Sequence, residues 1–104
     1  GEGIGVCHLD TGINYNHPNL AGAYSGGYDF VNNDNDPYDD NGHGTSTAGV
    51  IASSHSLFKG ISTSVNLVSL KVLGADGQGQ FSDVIAGIVS RAVDSQAQPH
   101  RSCC

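Results

Sequence analysis

The 104-residue chain predicts an α/β fold, a parallel sheet flanked by helices on both faces. Three observations carry that expectation. Two runs, Ile4–Leu9 and Val65–Leu73, are apolar and β-rich enough to be buried strands. Between them Gly44–Ala52 is small and apolar, consistent with a buried helix. After them, residues 83–94 carry an apolar stripe at helical spacing. Strand, helix, strand, helix is the order of a parallel sheet whose crossovers cover both faces.

Taken in order, Ile4–Leu9 follows a Gly-rich lead and stops at the turn signal Asp10-Thr11-Gly12. His17-Pro18-Asn19-Leu20 marks a second turn, and Tyr28–Val31 reads as a short strand. Residues 32–41 are dominated by Asn and Asp around Pro37 and form a loop. The helix that follows carries Ala48, Val50, Ile51 and Ala52, and the strand after it runs to Leu73. Gly74–Gln80 is a glycine-rich loop. Ser82 is placed to cap a helix starting at Asp83, whose carboxylate suits a first turn. Its stripe is Val84, Ile85, Ile88, Val89, Ala92 and Val93. The last segment, SQAQPHRSCC, is polar and continues no pattern. The expected division is therefore residues 1–94 as the structured part and 95–104 as an irregular, disordered or non-native tail.

Hydrophobic residues make up 38% of the chain and glycine fills 15 positions, a globular, loop-rich composition. The formal charge is −6, with only four Lys and Arg. Nucleic acid and anionic membrane both demand a basic patch, so neither is an expected partner. No apolar run is long enough to span a bilayer, and the absence of a secretory leader makes the start read as mature or internal. Three cysteines do not make a disulfide framework, and Cys7 is expected as a small core residue.

In parallel sheets, sites form at the carboxyl ends of strands. Asp10 sits at such an end, and His43 opens a helix between two glycines. A carboxylate in that place accepts a hydrogen bond from imidazole, fixing its tautomer and favouring the imidazolium form. The helix start pushes the other way, toward neutral imidazole. Together they hold a histidine ready as a general base near neutral pH. Two other clusters compete. His8 and Asp10 share a strand face and suggest a metal-dependent hydrolase, although no partner set completes it. Asp29, Asn32, Asp34, Asp36 and Asp39 offer oxygen ligands for a structural calcium ion, against the plain alternative of a solvated acidic loop. Otherwise His8, His17, His55 and His100 are expected to be structural or surface residues.

Three stretches carry a resemblance. VCHLDTGINYNHPNL resembles the aspartate motif of the subtilisin-like serine proteases, and GHGTSTAGVIAS their histidine motif. LVSLKVLGADGQGQFSDVIAGI resembles their substrate-binding strand, loop and helix. The three stand in the family's order and cover most of residues 3–93. The resemblance implies a subtilisin-like fold, present in part, and peptide-bond hydrolysis that needs no catalytic cofactor. It makes Asp10 the residue that orients the histidine and His43 the base. Gly77, Gln78 and Gly79 would pair by backbone with an extended polypeptide substrate, and Leu73 and Phe81 would line its side-chain pockets. The weaker calcium site that some members carry is matched by the Asp29-to-Asp36 spacing.

There are departures from the family's pattern. The histidine motif runs His-Gly-Thr-Ser-Thr-Ala, and Asn19 stands where an Asp that helps bind calcium is common. SSHSLFKG is shorter than the loop that builds a tight calcium site. Gly44-Thr45-Ser46-Thr47-Ala48 resembles the family's nucleophile motif, but Gly49-Val50 follow where a Pro belongs, so Ser46 is not the expected nucleophile. The motifs of the nucleophilic serine and the oxyanion asparagine are not among these residues. The expectation is a secreted serine endopeptidase represented by its N-terminal part, inactive alone and needing the C-terminal half of its peptidase domain. Without that half, the LVSLKVL strand is expected to leave a bare sheet edge and the 83–94 stripe to lie uncovered. The alternative is a non-catalytic fragment that binds peptide or calcium.

Overall fold

The computed structural model describes the backbone of residues 5–97 and the side chains of residues 5–90. Three strands and two helices follow in the order β1 (Gly5–Asp10), β2 (Tyr24–Asp29), α1 (His43–Ala52), β3 (Asn66–Lys71) and α2 (Phe81–Ala97). All three strands are parallel, in the order β1-β3-β2. The expected parallel sheet is present, but LVSLKVL is not its edge. β3 lies in the centre, and β1 and β2 are the edges among the described residues. The burial of β3 on both faces accounts for its near-continuous apolar run.

Alternation along the strands sorts residues to the two faces. On the α1 face, β3 presents Leu67, Ser69 and Lys71, and β1 presents Val6, His8 and Asp10, in register Leu67 with Val6, Ser69 with His8 and Lys71 with Asp10. Each row passes from apolar to polar toward the carboxyl end. The apolar end joins a core of Ile13, Leu20, Ala23, Ala48, Ala52, Val65 and Leu67. The polar end is the candidate site. On the opposite face Leu9, Val72 and Phe30 meet Gly87 of α2. Helices therefore flank both faces, as expected.

Several boundaries differ from the sequence reading. β2 spans Tyr24–Asp29 rather than Tyr28–Val31. The strand takes in the Gly26-Gly27 pair, where it needs a residue without a side chain. A Cβ on Gly27 would collide with the backbone carbonyl of Ser69, and the β2–β3 register shifts between Tyr24 and Gly27. α2 begins at Phe81, and Ser82 lies inside its first turn rather than capping it. The N–H groups of Asp83 and Val84 are bonded to the carbonyl of Gln80. α2 also continues to Ala97, so residues 95–97 are helical rather than part of an irregular tail, and residues 98–104 lie outside the described part. Cys7 is disulfide-bonded, not a free core thiol. The stripe on α2 is largely uncovered: Ile85, Ile88 and Val89 are exposed, and Phe81 is 89% exposed. No helix among the described residues is long and apolar enough to cross a membrane.

Candidate active site

The site is built where β1 ends. Just past it, Ile13 pairs with Tyr38 in a parallel bridge. The N–H of Ile13 donates to the carbonyl of Pro37 at 2.9 Å, and the N–H of Asp39 donates to that of Ile13 at 3.2 Å. That short pairing carries the 37–39 segment alongside Thr11 and sets Asp39 under the start of α1.

The first turn of a helix leaves N–H groups without intrahelical partners. Gly42, the residue before α1, has no side chain to cap it, and the neighbouring residues supply every acceptor. Asp39 Oδ1 takes the N–H groups of Asn41 and Gly42 at 3.0 and 2.9 Å, and Asp39 Oδ2 takes that of Thr45 at 2.8 Å. Asn41 Oδ1 accepts the N–H of His43 at 3.0 Å, and Thr11 Oγ1 accepts that of Gly44 at 2.8 Å. The Thr11 and Thr45 hydroxyls also donate to Asp39, at 2.8 and 2.5 Å. Burial alone would raise the Asp39 carboxyl, but these donors outweigh it and hold it well below the usual carboxylate range. Asp39 was expected among calcium ligands, and the fold uses it instead as the cap of α1.

With α1 anchored in this way, His43 lies beside Asp10. Its Nδ1 is 2.8 Å from Asp10 Oδ1 and 3.1 Å from Oδ2. The N–H of Thr11 donates to Asp10 Oδ1 at 2.6 Å. Burial works to raise the Asp10 carboxyl, but the bonds from His43 and Thr11 prevail and lower it. The hydrogen bond to Asp10, and then its charge, raise the His43 imidazole above 6.5. The carboxylate thus wins over the helix start. The imidazole side chain is 63% exposed. Among the described residues no hydroxyl or thiol is bonded to its Nε2, so that edge faces outward. Ser46 is exposed one turn along α1, and no hydrogen bond joins it to the ring among the described residues.

Lys71 braces both halves of this arrangement. Its side chain is 1% exposed. Nζ donates to the carbonyl of Thr11 at 2.5 Å and to Asp40 Oδ1 at 2.6 Å. One buried cation thereby ties the residue after Asp10 to the loop before His43. Gly44 shows how closely α1 is seated, since a Cβ there would run into the carbonyl of Gly12 and the hydroxyl of Thr11. Gly44→Ala is expected to cost about 1–3 kcal/mol by overpacking. A urea midpoint of the full-length protein left unchanged by that substitution would refute this packing.

The structure brings Asp10 and His43 together as the sequence reading placed them, and brings the 74–79 turn near them. Asn41 Nδ2 donates to the carbonyl of Ala75 at 2.8 Å, linking that turn to the loop before His43. Within the turn, Gly74 N–H donates to Gln78 O, and the N–H groups of Gly77 and Gln78 donate to Gly74 O and Asp76 Oδ1. Gly77, Gln78, Gly79 and Phe81 are exposed and Leu73 is half-buried at the end of β3. The expected calcium ligands do not converge. Asp29 is buried and accepts from the backbone of Val31 and Asn32 and from Asn32 Nδ2. Asp34 accepts the N–H of Asp36, and Asp36 accepts the hydroxyl of Tyr15. No three His, Cys, Asp or Glu among the described residues could hold a metal ion together. The His8–Asp10 pair therefore lacks the third such ligand a metallohydrolase would need. His17 and His55 accept N–H groups within their own turns, and His100 lies outside the described residues.

Sequence reasoning missed four residues here. They are Asp39 as a helix cap, Lys71 as a brace, and His8 with Thr47 beneath Asp10. An acidic residue a few positions before a helix start was the available signal for Asp39. A lone Lys inside an otherwise apolar strand was the signal for Lys71.

An Asp–His pair at the end of a parallel strand is an arrangement able to hold a histidine as a base. Residues 1–101 match the model of the subtilase family, and the chain belongs to that family. It is 45% identical over 92 residues to serine protease AprX of Bacillus subtilis (strain 168), covering 85% of this chain and 21% of that protein. It is 44% identical over 109 residues to the minor extracellular protease Vpr of the same organism, covering 93% of this chain and 13% of that protein. The solved structure of Sphericase superposes with a TM-score of 0.87 at 34% identity, over 95% of this chain and 34% of that one. The fold is thus the subtilisin-like one in part, and the chain spans about a fifth or less of the first two relatives.

Proposed function

We propose that this segment supplies the Asp–His half of the catalytic centre of a serine endopeptidase that cleaves extended polypeptides. The observation that carries the reading is the 2.8 Å bond from His43 Nδ1 to Asp10, with Nε2 turned outward. A serine hydroxyl brought to Nε2 from elsewhere in the full-length protein gives up its proton there as its oxygen attacks the peptide carbonyl. Asp10 stabilises the resulting imidazolium. The same proton then passes from Nε2 to the leaving amine, and a water molecule repeats the sequence to release the acyl group.

The exposed segment around Gly77, Gln78 and Gly79 is the edge along which substrate backbone would lie, with Leu73 and Phe81 beside it. The Gly77 and Gln78 N–H groups are already used within their turn, so pairing there falls chiefly to carbonyls and to Gly79. The uncovered α2 face and the β1 edge of the sheet formed by the described residues are the surfaces that the remainder of the peptidase domain would cover. Secretion fits the disulfide at Cys7, since such bonds persist in oxidising compartments. It also fits the extracellular relative.

A fluorophosphonate probe, which reacts only with an activated serine, tests the reading in the full-length protein. Labelling is expected at a serine outside this segment, and it should vanish in His43→Ala. Labelling at Ser46, or peptide cleavage indifferent to His43→Ala, would overturn it.

A further inference from the structure

His8 is 7% exposed, on the polar end of the α1 face, directly behind Asp10. Its Nε2 lies 2.7 Å from Thr47 Oγ1. That hydroxyl lies 3.4 Å from Asp10 Oδ2 and 3.1 Å from the carbonyl of Gly44. On its other side, His8 Nδ1 is buried with no partner among the described residues, as is the hydroxyl of Ser69, its register neighbour on β3. A buried polar atom without a partner is costly, and a donor more so than one lone pair. The tautomer follows. A proton on Nδ1 would be stranded, whereas a proton on Nε2 is donated to Thr47. Burial keeps the imidazole neutral, lowering its affinity for a second proton despite the pull of the Asp10 and Asp39 carboxylates, with His43 acting in the same sense as burial. Thr47 Oγ1, once it accepts from His8, must turn its own proton away from the ring, and Gly44 O and Asp10 Oδ2 are the acceptors on that side.

We propose that His8 is a positioning residue for Asp10, acting through Thr47: Nε2–H of His8 donates to Thr47, and the Thr47 hydroxyl donates to Asp10 Oδ2, holding the plane of the carboxylate whose Oδ1 faces His43. Asp10 Oδ2 has no other hydroxyl on it among the described residues. His43 Nδ1 also lies 3.1 Å from Oδ2 and His8 Nε2 lies 4.0 Å from it, while the other charged groups nearby are committed elsewhere, Lys71 to Thr11 O and Asp40, and Asp39 to the start of α1. At 3.4 Å the Thr47 bond is too long to draw much charge from the carboxylate, so its effect is on orientation rather than on basicity. The inference rests on Asp10 and His43 working as a pair.

The test is an NMR titration of His43 in the full-length protein with labelled histidines, alongside its kcat/KM pH profile. The variants are Thr47→Val, Thr47→Ser, His8→Leu, the double His8→Leu/Thr47→Val, and Asp10→Asn. Thr47→Val and His8→Leu should each lower the His43 midpoint and move the acid limb of kcat/KM to lower pH. Thr47→Ser should leave both in place. The double variant, which removes both polar partners together and so leaves no new unmatched group, should fold and match Thr47→Val alone. A midpoint unmoved or raised in Thr47→Val or His8→Leu, or additive effects in the double, overturns the proposal while leaving the Asp–His reading intact, provided Asp10→Asn lowers the midpoint. A midpoint indifferent to Asp10→Asn overturns the pair itself.

Discussion

His43→Ala in the full-length protein is expected to lower kcat by on the order of 10⁶, a magnitude carried over from subtilisin, and Asp10→Asn by on the order of 10⁴, one carried over from the chymotrypsin-type triad, neither being obtained from this geometry. The asymmetry has a structural reason. In the proposed mechanism His43 moves the proton, whereas Asp10 orients it and stabilises its charged form. An Asn at position 10 keeps the shape but sets an amide where a carboxylate accepted from both Nδ1 and Thr11 N–H. The sign of the pH effect follows from the same contact. Asp10 raises the His43 imidazole, and the base works only when unprotonated, so the acid limb of kcat/KM should lie above 6.5 in the wild type. In Asp10→Asn that limb should move to lower pH even as the plateau collapses. Steady-state kinetics on a peptide substrate across the acid range checks both, and an acid limb that stays in place in Asp10→Asn would separate His43 from Asp10.

The second large effect is on stability, at Asp39. Asp39→Asn preserves volume but not valence. Oδ1 receives the N–H groups of Asn41 and Gly42, and Oδ2 receives that of Thr45. Whichever way the new amide turns, its NH₂ faces at least one backbone N–H that no longer has an acceptor. The expected cost is about 2–4 kcal/mol, the loss of charge-assisted bonds plus a buried unmatched donor. Its pH dependence has a definite sign. The carboxyl is held below its ordinary 3.8, so its contribution is full above that value and is lost as pH falls toward the native-state pKa. The wild type should therefore lose stability on acidification below about pH 4, where Asp39→Asn should be flatter. Urea midpoints at neutral and acid pH measure this, and parallel acid profiles for the two proteins would exclude Asp39 as the group responsible. Activity should fall with stability, because Asp39 seats the helix that presents His43.

Much of this was legible in the sequence because the signals were local. Asp10 ends an apolar strand, His43 stands between glycines at a helix start, and the near-continuous apolar run of β3 announces its burial. Each is a property of neighbours in the chain, and together they sufficed for the parallel α/β class, for the Asp–His pair and for the family. What they could not convey is set by residues far apart in the chain. The place of β3 at the centre of the sheet depends on strand order, which no periodicity records. The Gly26-Gly27 stretch became a strand because the Ser69 backbone approaches too closely for a side chain. Composition cannot reveal where the carboxylates of the acidic loop point. Only the Ile13–Tyr38 bridge turns Asp39 under α1, and Asp29 is occupied by its own turn. His8 shows the same limit most clearly. Its distance from Asp10 along the strand was visible, but the Thr47 hydroxyl that connects them comes from a helix 39 residues away, and only packing brings it there.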